Sequence, residues 1–213
     1  MGIAVLATRK SNNKVFEFIN KIYLTVFRSV PTIVLLFLIY FGIPQLASKL
    51  GYTIGTKNKL SFVVITFTLI IAATSSEIMR SAYESVNKGQ FEAAVSVGLT
   101  PLQAFRRIII PQALVVALPN IGNSIVFLIK DGALAYTIGL NDIYGGGLYI
   151  SSLDYQSYLL EIYIAMTVFY WPVCEIIVHA VNTISKRIST EFKGAKIKEK
   201  VELEVVGIRE VAE

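Results

Sequence analysis

Four stretches of this chain are long, apolar and almost free of charge, and they restrict the fold more than any other feature does. Ser29–Ser48 and Ile108–Ile129 contain no Asp, Glu, Lys or Arg. Ser61–Met79 carries only Glu77, and Tyr158–Val181 carries only Glu161 and Glu175. A helix needs about 20 apolar residues to cross a hydrocarbon core about 30 Å thick, so each stretch reads as a membrane span. The runs are continuous rather than alternating, which selects helices over barrel strands. Across the 213 residues, 54% are hydrophobic and 16% charged, against about a quarter charged in an average soluble domain. The expected fold class is therefore all-α, a polytopic membrane helix bundle with four visible spans.

The basic residues set its orientation. Lys and Arg number five before the first span, four in Arg80–Arg107 and seven from Lys186 onward. The intervening Lys49–Lys59 segment holds three, and the segment beginning at Lys130 holds one. Basic residues accumulate on the cytoplasmic side, which places the N-terminal piece, the middle loop and the C-terminus in the cytoplasm. Two regions follow, a membrane domain over 1–188 and a charged tail over 189–213. The tail reads as a solvated extension, with Lys193, Lys196, Lys198 and Lys200 as an alternative contact for anionic lipid.

The cytoplasmic loop over 81–107 is more than a connector. Its Glu92-Ala93-Ala94-Val95 run favours helix, and Gly98 suits a helix C-terminus that needs a left-handed residue. Thr100, Pro101 and Gln103 then form a capping box with proline at the first helical position. The second helix is expected to stop or kink at Pro111. Two ordered helices on one membrane face offer a surface for a partner.

Spacing in this loop carries a family resemblance. Glu92-Ala93-Ala94, three residues, Gly98, nine residues, then Ile108, Ile110 and Pro111 resemble the EAA loop of permease subunits of bacterial ABC importers, where Leu is usual at Ile110. The likeness continues through Lys88-Gly89-Gln90, Pro111-Gln112-Ala113 and Leu118-Pro119. Arg28 and Pro31 with LLFLIYFGIP, and Glu77-Ile78-Met79-Arg80, resemble the polar amino acid branch of that family. It covers roughly Gly2 to Ile188.

The resemblance implies a type I importer permease in the bacterial cell membrane. It implies an ABC ATPase partner gripping a coupling helix built on Gly89, Gln90, Glu92, Ala93, Ala94 and Gly98. Glu92 would supply a charge contact, and the two alanines a close approach. A second permease copy or paralogue, an extracytoplasmic binding protein and a polar amino acid substrate, with cystine one option, complete the expected assembly. ATP and Mg would be bound by the ATPase, and no cofactor by this chain. The family usually has five spans, so the apolar Met1–Ala7 ahead of a basic cluster is expected to be the end of a further upstream span. Asp131-Gly132-Ala133 departs from the family's usual KDTSL, and a looser backbone is expected there.

Helical geometry offers a substrate path without reference to the family. At 100° per residue, Gln112, Asn120, Asn123, Ser124, Phe127, Lys130 and Asp131 share an arc of about 120°. Ile121, Ile125, Leu128 and Ile129 fall elsewhere. Polar groups are costly against lipid, so the stripe should face the protein interior or water; hydrogen-bonded helix packing would also hide it. Glu77 and Arg80, three residues apart, can form a structural or gating ion pair.

Several activities lack their chemistry. No G-x-x-x-x-G-K-[ST] loop occurs for ATP hydrolysis, so the chain reads as a transporter subunit rather than an enzyme. One Cys and one His, Cys174 and His179, are too few for a metal site, and basic residues segregate by membrane side rather than forming a nucleic-acid-reading element. The alternative function is an ATP-independent secondary carrier or channel, which has no use for a coupling loop.

Overall fold

The computed structural model describes residues 14–153 and 157–211, with side chains to residue 190. The Met1–Ala7 segment and the side chains of Lys193, Lys196, Lys198 and Lys200 lie outside the described residues. Every regular element among the described residues is helical: α1 Lys14–Ser29, α2 Thr32–Lys49, α3 Lys59–Glu84, α4 Lys88–Ser96, α5 Pro101–Ile138, α6 Ile143–Leu153 and α7 Leu159–Val211. Segments within α2, α3, α5 and α7 are long and apolar enough to cross a membrane. The four expected spans lie in these helices. Backbone helicity in α7 continues past 188, where the membrane domain was expected to give way to the tail.

Two of the spans contain a widened π turn, and each turn ends two residues before a proline. Leu38–Gly42 precedes Pro44 in α2, and Phe105–Ile109 precedes Pro111 in α5. A proline ring clashes with the carbonyl four residues earlier and has no N–H to donate. An extra residue in the preceding turn relieves that conflict without breaking the helix. The stop or kink expected at Pro111 is therefore a change of winding. In a lipid environment, ending the helix would expose backbone groups with no water to bind them.

The chain forms two compact units. The first comprises Met1–Arg80 and Ile121–Ile177. Its core gathers Leu36, Val63, Phe67, Ala135 and Ile138, with Leu128 and Leu134 packed against them. Ala133–Ile138 tighten into a 3-10 turn and Gly139 ends it at φ +74°, a left-handed value that glycine adopts without steric cost. Lys59 donates its ammonium to the Gly139 carbonyl at 2.9 Å, satisfying a helix-end acceptor. The backbone after Asp131-Gly132 is thus tighter, not looser, because Ala135 and Ile138 are drawn into the core.

The second unit comprises Ser81–Asn120 and Val178–Glu213. Ala82, Ala94, Ala104 and Ile109 are almost fully buried there, so small side chains let short helices pack closely. Pro119 lies inside α5 and leaves the Val115 carbonyl without its usual partner. The Ser185 hydroxyl of α7 donates to that carbonyl at 3.2 Å. Ser185→Ala is expected to destabilise the purified chain by about 1–2 kcal/mol through the unmet acceptor, read as a lower melting temperature, with Ser185→Thr restoring it.

Apolar side chains remain exposed along the spans, including Leu160 and Trp171, each 70% accessible. Such exposure suits lipid or a protein neighbour and not water.

Candidate coupling surface and polar stripe

α4 is defined sharply at both ends. The Asn87 side chain caps its start by accepting from the Gly89 N–H at 2.8 Å. A Cβ on Gly89 would stand 3.2 Å from that same oxygen, so glycine keeps the cap close. At the other end, the Gly98 N–H donates to the Val95 carbonyl and the Leu99 N–H to the Ala94 carbonyl, at 3.0 and 3.1 Å. Gly98 holds φ +92°. This is a Schellman ending, which needs a left-handed residue after the helix. The next helix opens on Thr100, whose hydroxyl accepts from the Gln103 N–H while the Gln103 side chain accepts from the Thr100 N–H.

These ends fix which side chains face outward. Glu92, Ala93 and Gly89 are exposed, Gln90 is half-buried, and Ala94 is only 3% accessible. Ala94 packs inside its own unit, and Ala93 is the exposed member of the pair. Phe91, Val95, Val97 and Leu102 are exposed as well. The exposed groups of this loop thus include apolar side chains as well as the Glu92 carboxylate, and the apolar ones were not read from the sequence.

The polar stripe is distributed between the units. In the second unit, Gln112 donates its side-chain amide to the Ile108 carbonyl at 3.0 Å, and Asn120 donates to the Val116 carbonyl at 2.9 Å. Both amides thus bond their own helix backbone. In the first unit, Asn123, Phe127 and Lys130 are exposed, and Ser124 and Asp131 are half-buried. Among the described residues, the side chains of Lys130 and Asp131 make no ion pair with each other or with a neighbour.

Lys130 lines a cavity of about 360 Å³ together with Tyr144 of α6 and Tyr163, Thr167, Tyr170 and Trp171 of α7. A hydrogen bond with Tyr163 pushes the Tyr144 hydroxyl above its ordinary range. Aromatic faces attract ammonium groups, while Lys130 attracts carboxylate. This surround was invisible in the sequence because its members come from three separate helices.

Glu77 and Arg80 meet as expected from their spacing. Arg80 donates to Glu77 Oε2 from Nε and Nη2 at 3.0 and 2.9 Å, and Arg28 approaches the same oxygen at 3.7 Å. The Glu77 side chain is half-buried while Arg28 stays largely exposed, so Glu77 ties two elements together from beneath its partners.

Comparison with known proteins agrees with this architecture. Residues 1–190 match the family described as binding-protein-dependent transport system inner membrane component. The chain is 38% identical over 188 residues to the L-cystine transport system permease protein TcyL of Bacillus subtilis, spanning 88% of this chain and 78% of that one. It is also 38% identical over 170 residues to the probable amino-acid permease protein YxeN of the same organism, spanning 80% and 73%. A solved amino acid ABC transporter crystallised with histidines superposes with a TM-score of 0.74 at 28% identity, covering 87% of this chain and 83% of the other.

Proposed function

The chain belongs to the family of binding-protein-dependent transport system inner membrane components, the multi-pass permease subunits of ABC importers, and from that premise we propose that it carries a polar amino acid across the cell membrane under the drive of a separate ATPase. The observation that carries the reading is the α4 surface, where Glu92 and Ala93 stand exposed between two tightly capped helix ends. A rigid exposed helix on the loop side gives an ATPase something to push. Closure of the ATPase on α4 would move it as a body, because its caps do not depend on the partner.

The substrate arrives from an extracytoplasmic binding protein and passes along Asn123, Phe127, Lys130 and Asp131. Lys130 receives its carboxylate, and Tyr144, Tyr163 and Tyr170 face its ammonium. An amino acid related to cystine is favoured by the 38% identity to TcyL. The permease acts with a second copy or a paralogue, its C-terminus in the cytoplasm. Ser124, half-buried on the first unit's part of the stripe, contributes to the path as well.

ATP hydrolysis by the reconstituted assembly tests this reading. Adding substrate-loaded binding protein is expected to raise hydrolysis severalfold over empty binding protein. Equal rates with both would contradict it and favour a carrier that works without ATP.

A further inference from the structure

The N-terminal helix α1 turns its apolar side away from the protein. Val15, Phe18, Ile19, Ile22 and Val26 fall within an arc of about 100° on a helical wheel, and they are 38–64% accessible. On the opposite side, Glu17, Lys21, Leu24 and Arg28 line a cavity of about 690 Å³ with Glu77 of α3. In water this arrangement would be inside out. The 16 described residues of α1 include Lys14, Glu17, Lys21 and Arg28, more charge than a membrane span tolerates.

Two contacts fix where α1 lies along α3. The Tyr23 hydroxyl donates to the carbonyl of Leu69, in the middle of α3, at 2.6 Å, and Arg28 meets Glu77 nearer the Arg80 end. Burial pushes the Tyr23 hydroxyl above its ordinary range, so it remains a donor. α1 is therefore attached between the middle of a membrane span and one of its ends. The Arg28 end of α1 is thus the end nearer the headgroups.

We propose that α1 is a membrane-surface helix, with Val15, Phe18, Ile19, Ile22 and Val26 among the acyl chains of the leaflet at the Glu77 end of α3, and Lys21 and Arg28 beside lipid phosphates. Basic residues on the polar face and Phe and Ile on the other are what an interfacial helix requires, and cationic side chains complement phosphate. Among the described residues nothing covers the stripe. Only Val30 and Pro31 separate α1 from α2, so the lipid seat of α1 also sets how the first span enters the bilayer.

Tryptophan quenching in the assembled transporter, reconstituted in vesicles, tests the proposal. In a Trp171→Phe background, Phe18→Trp and Ile22→Trp are each expected to lose most of their emission to phosphatidylcholine brominated along its acyl chains, and little to acrylamide. Lys21→Trp is expected to show the reverse. The two apolar-face variants are independent, so failure of one to fold leaves the other to decide. Acrylamide quenching at positions 18 and 22 would overturn the proposal in favour of water. Protection there from both quenchers would overturn it in favour of a protein neighbour such as a second copy.

Discussion

Glu92→Lys is expected to abolish ATP-dependent uptake while the chain still inserts and folds. Glu92 is exposed, and its carboxylate takes no part in the caps that hold α4, which come from Asn87, Gly98 and backbone groups. Stability of the permease itself should therefore be unchanged. At an interface, losing one partner of a desolvated charge pair costs on the order of 2–5 kcal/mol, and reversing its sign adds repulsion. That corresponds to weakening of the ATPase contact by roughly 30-fold or more, read as loss of co-purification. Glu92→Gln, which keeps the shape and removes the charge, should fall between. Wild-type recovery of the ATPase with normal uptake in the Glu92→Lys variant would remove α4 as the coupling element.

Phe91, Val97 and Leu102 bear on the same contact. Exposed on the same loop as Glu92, they would, in the proposed docking, let apolar burial supply most of the energy and Glu92 the orientation, as in interfaces with an apolar core and a charged rim.

Much of the fold was legible because a bilayer is an exacting solvent. Span length and continuity each follow from lipid physics, and the four long apolar helices occur where the runs occur. The loop was legible for a different reason. Gly98 and the Thr100–Gln103 box are local devices, complete within a few residues, and the structure shows both in place.

What escaped the sequence depends on distant partners or on small angular differences. Ala93 and Ala94 are chemically identical and only about 100° apart on the helix, so pattern could not tell which one faces its own chain. α1 carries too many charges to read as a span, and its apolar stripe gained meaning only when Tyr23 and Arg28 were seen against α3. The turn of backbone before Pro111 was read as a stop or a kink because proline usually ends or bends helices, and its π winding could not be told from the residues. Ser185 had no visible role until Pro119 was seen to free the Val115 carbonyl. The tyrosines around Lys130 lie far from it in sequence, and no periodicity connects them.

The account stands most directly on whether α5 lines a water path whose access depends on ATP. Asn123, Ile125 and Phe127 are all exposed in the chain alone, but on the proposed path Asn123 and Phe127 meet water while Ile125 meets lipid. Leu128 packs against the core and serves as a half-buried reference. A charged stripe against lipid would cost on the order of a few kcal/mol for Lys130 or Asp131 alone, which is why that side should be wet. With Cys174→Ser removing the chain's single native thiol, cysteines at positions 123, 125, 127 and 128 can be probed one at a time by a small water-soluble thiol reagent in the reconstituted assembly. The account predicts fast labelling at 123 and 127 that changes by about tenfold or more between nucleotide-free and ATP-bound states, and slow labelling at 125 and 128 in both. Equal protection of all four positions in every state would mean that the stripe is buried between helices, and the path would have to be sought elsewhere.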